Sequence, residues 1–92
     1  MTDAEILASV TEIVREVLGD AFGAEVEVTL KTSFWKDLEL ESIEMVTLGE
    51  KLEGRWGHRV DFVGWLSGKE LEQIIGLTVG DLVVFIQDAL RS

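Results

Sequence analysis

Apolar residues return every three or four positions in three stretches of the chain, and that period predicts three full helices. In the first, Ile6, Val10, Ile13 and Val17 form a stripe that Val14 and Leu18 widen. Thr2 and Glu5 have the spacing of a capping box, in which each side chain satisfies a free backbone N–H at the helix start. Gly19 is the expected stop. The second helix begins at or just after Ser42. Met45, Leu48, Gly49, Leu52 and Trp56 share one face, expected in the core, and Gly54 and Gly57 are expected to end the helix. Its other face carries Ile43, Val46, Thr47, Glu50 and Glu53. Exposed aliphatics among carboxylates suit a docking surface, although scattered surface apolars are common. The last helix opens at Thr78, with Asp81 three residues on, and turns Val79, Leu82, Val83, Phe85, Ile86, Ala89 and Leu90 inward.

Between the second and last helices the pattern is shorter. Val60 to Val63 is a brief apolar segment followed by Trp65 and Leu66. Ser67 and Glu70 have capping-box spacing, Leu71, Ile74 and Ile75 follow at helical intervals, and Gly76 closes a short helix. Glu25 to Leu30 alternates like a strand, but no second strand of comparable quality is present to pair with it. The region from Asp20 to Leu40 is therefore read as a long ordered loop, pinned by Val26, Val28, Leu30, Phe34 and Trp35. The expectation is an all-α single domain over residues 1–92. It is a small four-helix bundle of three longer helices and one short third helix, with the long loop between the first two.

Charge changes the picture at one place. The chain carries 18 acidic against 8 basic residues, a net of −10. From Asp37 to Glu53 there are six carboxylates and one lysine, so half of that net charge surrounds Ser42. Such a balance argues against nucleic acid, whose phosphates would be repelled, and for basic protein partners. Cysteine is absent, and one histidine, His58, leaves no two-histidine metal site. No apolar run approaches membrane-spanning length, and MTDAEILASV lacks the basic start and apolar stretch of a signal peptide, so a soluble, cytoplasmic protein is expected. Trp35, Trp56 and Trp65 are assigned to the core, His58 to an exposed loop, and Ser33 and Ser67 to loop and cap positions.

Catalysis by Ser42 would need a base in reach and a group to orient it. The neighbouring glutamates are weak bases, and the glycines of a nucleophile elbow are missing. No enzyme activity is expected. As a substrate the serine is better suited: a hydroxyl at a helix start lies near free N–H groups and the positive end of the dipole, which favour a phosphate. Glu39, Glu41 and Glu44 oppose that anion, so the acids call for another purpose, such as recognition by a basic partner. The plainer reading of Ser42 is a helix N-cap.

VTLKTSFWKDLELESIEMV (from Val28) and LTVGDLVVFI (from Leu77) are similar to the loop, second helix and last helix of acyl carrier proteins. In that family a serine opening the second helix, usually within Asp-Ser-Leu, receives 4'-phosphopantetheine from coenzyme A. Ser42 holds the matching position, with Glu41 and Ile43 beside it. The resemblance covers roughly the last two thirds of the chain. It departs at Glu39 and Leu40, which replace a frequent Gly-Ala, at Thr47 in place of an acid, and in a longer Gly57–Gly76 segment. These departures suggest a carrier of a specialised pathway.

The resemblance implies a monomer whose Ser42-bound arm holds acyl groups as thioesters. Partners would be a phosphopantetheinyl transferase and loading, synthase or acyltransferase enzymes with basic surfaces. They would dock on Glu41, Ile43, Glu44, Val46, Glu50 and Glu53. Part of the acyl chain is expected in a space beside Gly49, bounded by Met45, Leu52, Phe62 and Trp65. The alternatives are an aminoacyl or peptidyl cargo, or an unmodified acidic adaptor.

Overall fold

The computed structural model describes residues 2–19 and 27–91. Five helices occur among them: α1 (Asp3–Leu18), α2 (Ser42–Trp56), α3 (Phe62–Ser67), α4 (Leu71–Ile75) and α5 (Val79–Arg91). The all-α bundle expected from the sequence is present, with two short helices where one was expected.

The long helices form where period and caps agree. On α1, the Thr2 N–H donates to Glu5 Oε1 at 3.1 Å and the Glu5 N–H returns a bond to Thr2 Oγ1 at 3.2 Å. The same reciprocal pair opens α5, through Thr78 and Asp81 at 3.0 and 3.2 Å. Helix α1 packs on both α2 and α5. Ile6, Val10 and Val14 from α1, Leu48 and Leu52 from α2, and Leu82, Val83 and Ile86 from α5 close a fully buried core. Lys51 reaches Glu16 at 3.2 Å and Arg55 reaches Glu12 at 3.4 Å, tying α2 to α1 through exposed ion pairs. Pairs of this kind contribute about 0–1 kcal/mol each. Helix α2 continues through Gly54 and ends at Gly57, whose φ of +84° suits a residue without a Cβ and whose N–H bonds Glu53 O at 2.7 Å.

The connection from α1 to α2 is, over its described residues, the long loop expected. Its pairing with the rest of the chain is a single antiparallel bridge between Ser33 and Thr78. Around that bridge the loop is clamped to the start of α5: the Val79 N–H donates to Thr32 O at 2.8 Å, Gly80 to Leu30 O at 2.9 Å, and Phe34 to Leu77 O at 3.3 Å. Within the loop, Asp37 accepts the Ser33 N–H at 2.7 Å. Phe34, Leu38 and Leu40 are the buried anchors and Val28 is half-buried. Leu30 and Trp35, expected as pins, are 45% and 55% exposed. Glu25 and Val26, the first two residues of the alternating segment, lie outside the described residues.

Asp61 caps α3, accepting the Gly64 N–H at 3.0 Å, and residues 68–70 divide the two short helices. A Cβ at Gly64 would press on that carboxylate, which would have to shift from its capping position. Ser67 is not a cap; it ends α3, with its hydroxyl on Gly64 O at 2.9 Å. The N-cap of α4 is Glu70, whose N–H bonds Gln73 Oε1 at 3.0 Å. Among the described residues, no helix is long and apolar enough to cross a membrane.

Candidate functional site

Ser42 is the first residue of α2, and the cap stands one position earlier than the plainer reading placed it. Glu41 has the extended backbone of an N-cap, with φ −80° and ψ 165°, and its N–H donates to Glu44 Oε1 at 3.0 Å. Ser42 and Met45 have the same three-residue spacing, but a thioether offers no carboxylate to accept the cap's N–H. The Glu41 carbonyl starts the helical ladder by accepting the Met45 N–H at 2.9 Å. Ser42 is thereby released from capping. It is exposed, and no hydrogen bond within the described residues engages its hydroxyl.

The approach to the serine is bent. Glu39 has a φ of +49°, a left-handed conformation that side chains with a Cβ seldom adopt. Leu40 then turns inward, its N–H on Phe34 O at 3.1 Å, and Glu41 turns out. A residue without a Cβ would take this conformation without strain.

Beside Ser42 a partly open cavity of about 270 Å³ runs between the loop, the start of α2, and helices α3 and α4. Phe34, Trp35, Leu40, Met45, Val46, Val63, Leu66, Leu71 and Ile74 line it, and Ser42 is the polar residue among them. For scale, an engineered apolar cavity of about 150 Å³ takes up benzene. A shallower hollow of about 440 Å³ lies outside, lined by Trp35, Glu39, Leu40, Glu41 and Ser42.

Of the five residues expected to border an acyl chain, Met45 lines this cavity. The gap anticipated beside Gly49 is filled, because a Cβ there would stand 3.1 Å from Val63 Cγ2 and 3.3 Å from a Phe62 ring carbon. Leu52 and Phe62 are fully buried in the core. Trp65 stacks on Phe85, with centroids 4.6 Å apart and planes 6° apart, and lies against Phe62 at 5.9 Å. Lys69 covers it from outside at 4.7 Å. Trp35, Leu40, Val63, Leu66, Leu71 and Ile74 were missed as a group. The available signal was the spacing of Leu71 and Ile74, which also fits an ordinary core helix.

The expected docking residues share the outer side of this site to different degrees. Ile43 is 73% and Val46 is 48% exposed, and Glu41 and Glu50 are exposed. Glu44 is half-buried and engaged in the cap, and half-buried Glu53 lies 3.7 Å from His58 Nδ1. His58 is exposed, as expected, and no group of His, Asp and Glu among the described residues could hold a metal ion. The two cations of α2, Lys51 and Arg55, point to α1, so their charge is spent away from the serine.

No family model matches the chain, and no solved structure matches it significantly. Curated relatives do. The meromycolate extension acyl carrier protein of Mycobacterium leprae is 34% identical over 88 residues, and the match spans 95% of this chain but 66% of that protein. An acyl carrier protein of Rhodococcus erythropolis is 37% identical over 87 residues, spanning 94% of this chain and 82% of the relative. For an acyl carrier protein of Arthrobacter sp. the identity is 38% over 88 residues, 96% of this chain and 95% of the relative. A bundle with a serine-headed second helix, itself aligned over 94–96% of its length with such relatives, belongs to the acyl carrier protein family.

Proposed function

We propose that the protein is a carrier whose Ser42 hydroxyl is the attachment point for a 4'-phosphopantetheine arm, through which it presents acyl thioesters to biosynthetic enzymes. One observation carries this reading: an exposed, unengaged hydroxyl on the first residue of a helix, at the lip of an apolar cavity.

The residues present fit the group. The free N–H groups and dipole of the α2 start favour the charge of a phosphodiester at Ser42. The Glu44 carboxylate accepts the Glu41 N–H, and Glu39 and Glu41 are the exposed acids nearest the serine. When bound, the arm supplies the thiol that a chain without cysteine lacks.

The cavity favours an acyl cargo over an aminoacyl or peptidyl one. Its lining offers apolar contact and, apart from Ser42, no side-chain acceptor for an ammonium or amide. Burying such a group unpaired is costly. Partner enzymes, a phosphopantetheinyl transferase among them, meet Ile43 and Val46 with carboxylates Glu41, Glu50 and Glu53 around them. Because Lys51 and Arg55 are held by α1, this face selects basic surfaces and is steered to them at low salt. The reading is of a cytoplasmic monomer without catalytic activity of its own.

Intact mass after incubation with coenzyme A and a broad-specificity phosphopantetheinyl transferase tests it. The expected result is a gain of one arm per chain, absent in Ser42→Ala. No gain, or a gain that survives Ser42→Ala, defeats the reading.

A further inference from the structure

Trp35 is out of place for a tryptophan. Its backbone is well fixed: Phe34 is buried and bonds Leu77 O at 3.3 Å, the Lys36 N–H bonds Ser33 Oγ at 3.0 Å, and the Asp37 N–H bonds Ser33 O at 3.1 Å. Trp35 is nonetheless 55% exposed. Among the described residues no ring stacks on it and no hydrogen bond holds it, whereas Trp65 is sandwiched between Phe85 and Lys69.

Its position is specific. Trp35, Leu40 and Ser42 line both the cavity and the outer hollow, so the indole belongs to the partition between them. A group tethered at Ser42 meets Trp35 whichever side it occupies. An indole offers a large apolar face with few torsions to order, and leaving it in water forgoes that burial. An aliphatic chain entering the cavity covers it; a short or charged group does not.

We propose that Trp35 is a specificity-determining residue for the cargo: its indole is a movable wall of the cavity beside Ser42, closing on an uncharged aliphatic chain and staying in solvent otherwise. This rests on the carrier reading of Ser42, and the test keeps the two separable.

The full chain is labelled with 5-fluorotryptophan, which gives one fluorine resonance for each of the 3 tryptophans. That of Trp35 is assigned by its loss in Trp35→Phe. The chain is loaded at Ser42 with acetyl, octanoyl or β-alanyl arms, and loading is verified by mass. With octanoyl, the Trp35 resonance shifts and loses a large part of its H₂O/D₂O isotope shift; with acetyl or β-alanyl it does neither. Trp56 and Trp65 stay in place in all three. In Trp35→Ala the octanoyl thioester hydrolyses about fivefold faster, the order expected when a few tens of Å² of apolar contact are withdrawn, with the acetyl rate unchanged.

A Trp35 resonance indifferent to octanoyl, or one that responds equally to all three arms, overturns the proposal. If the mass shows no loading, the carrier reading fails by itself. Octanol titrated into the unmodified chain then decides about Trp35: a saturable shift of its resonance supports the movable wall, and a flat one overturns it.

Discussion

Two apolar regions meet at α3 and are completed differently. On one side Phe34, Phe62, Trp65 and Phe85 form a continuous series of ring contacts, from edge-on at 6.5 Å to stacked at 4.6 Å. On the other, Val63, Leu66, Leu71 and Ile74 turn to the cavity beside Ser42, and Leu71 remains 68% exposed. Both regions are built of large apolar side chains. The difference lies in what stands opposite. The closed side has α5, three turns long and packed on α1, to complete it. The open side has α4, five residues long and not among the helices packed closely on one another. Apolar surface becomes core only where a second element is long enough to cover it. Where that element is short, the same residues become a site.

The comparison breaks most sharply at Phe62 and Leu71. Phe62→Ala removes a fully buried ring and should cost about 3–5 kcal/mol in urea denaturation. Leu71→Ala, on the open side, should stay within about 0.5 kcal/mol. Equal losses would mean that the two sides are energetically alike.

The seam between the regions is next. Gly49→Leu forces a side chain against Phe62 and Val63, and overpacking of this kind costs about 1–3 kcal/mol. Unchanged stability there would show that the gap is open and restore Gly49 as a cavity residue.

A smaller effect is expected at the lip of the cavity. Glu39→Gly relieves the positive φ but adds freedom to the unfolded chain, so stability should rise by less than about 1 kcal/mol. A marked fall in the denaturation midpoint would mean that the Glu39 side chain holds the bend.

The smallest effect concerns acid. Bonds from the Thr2 N–H and hydroxyl hold the Glu5 carboxyl below its ordinary pKa of 4.5. With the folded pKa depressed, the cap is fully in place above the ordinary carboxylate range and is lost as pH falls through the lowered value. Amide exchange in the first turn of α1 should rise over that window while the Trp35 environment does not change. Movement of both together would couple the cap to the open side.

How much of this was legible follows from the range of the determining contacts. Helices α1, α2 and α5 are set by local period and by caps three residues apart, so the sequence displayed them. The start of α2 was legible to within one residue. Its cap is a glutamate pair, less favoured by type than serine, and this hid the release of Ser42 from a structural task. Asp61 is an ordinary cap residue, but in VDFV it stood inside a brief apolar segment. The cavity was not legible, because its walls come from four separate segments and depend on which of two adjacent aromatics turns inward. Phe34 does and Trp35 does not. Size and hydrophobicity are the same signal for both, and the turn that separates them is fixed by bonds to Leu77 and Ser33.

Those bonds also order events in time. The loop that delivers Ser42 takes its shape from Leu77, Val79 and Gly80, residues that leave the ribosome well after the serine. A Cβ at Gly80 would stand 2.7 Å from Leu30 O, so the clamp closes only when backbone meets backbone. Until α5 emerges and docks, the serine lies on a chain with no fixed bend and no cavity beside it. An enzyme that recognises the finished shape around Ser42 therefore has no substrate until α5 has docked.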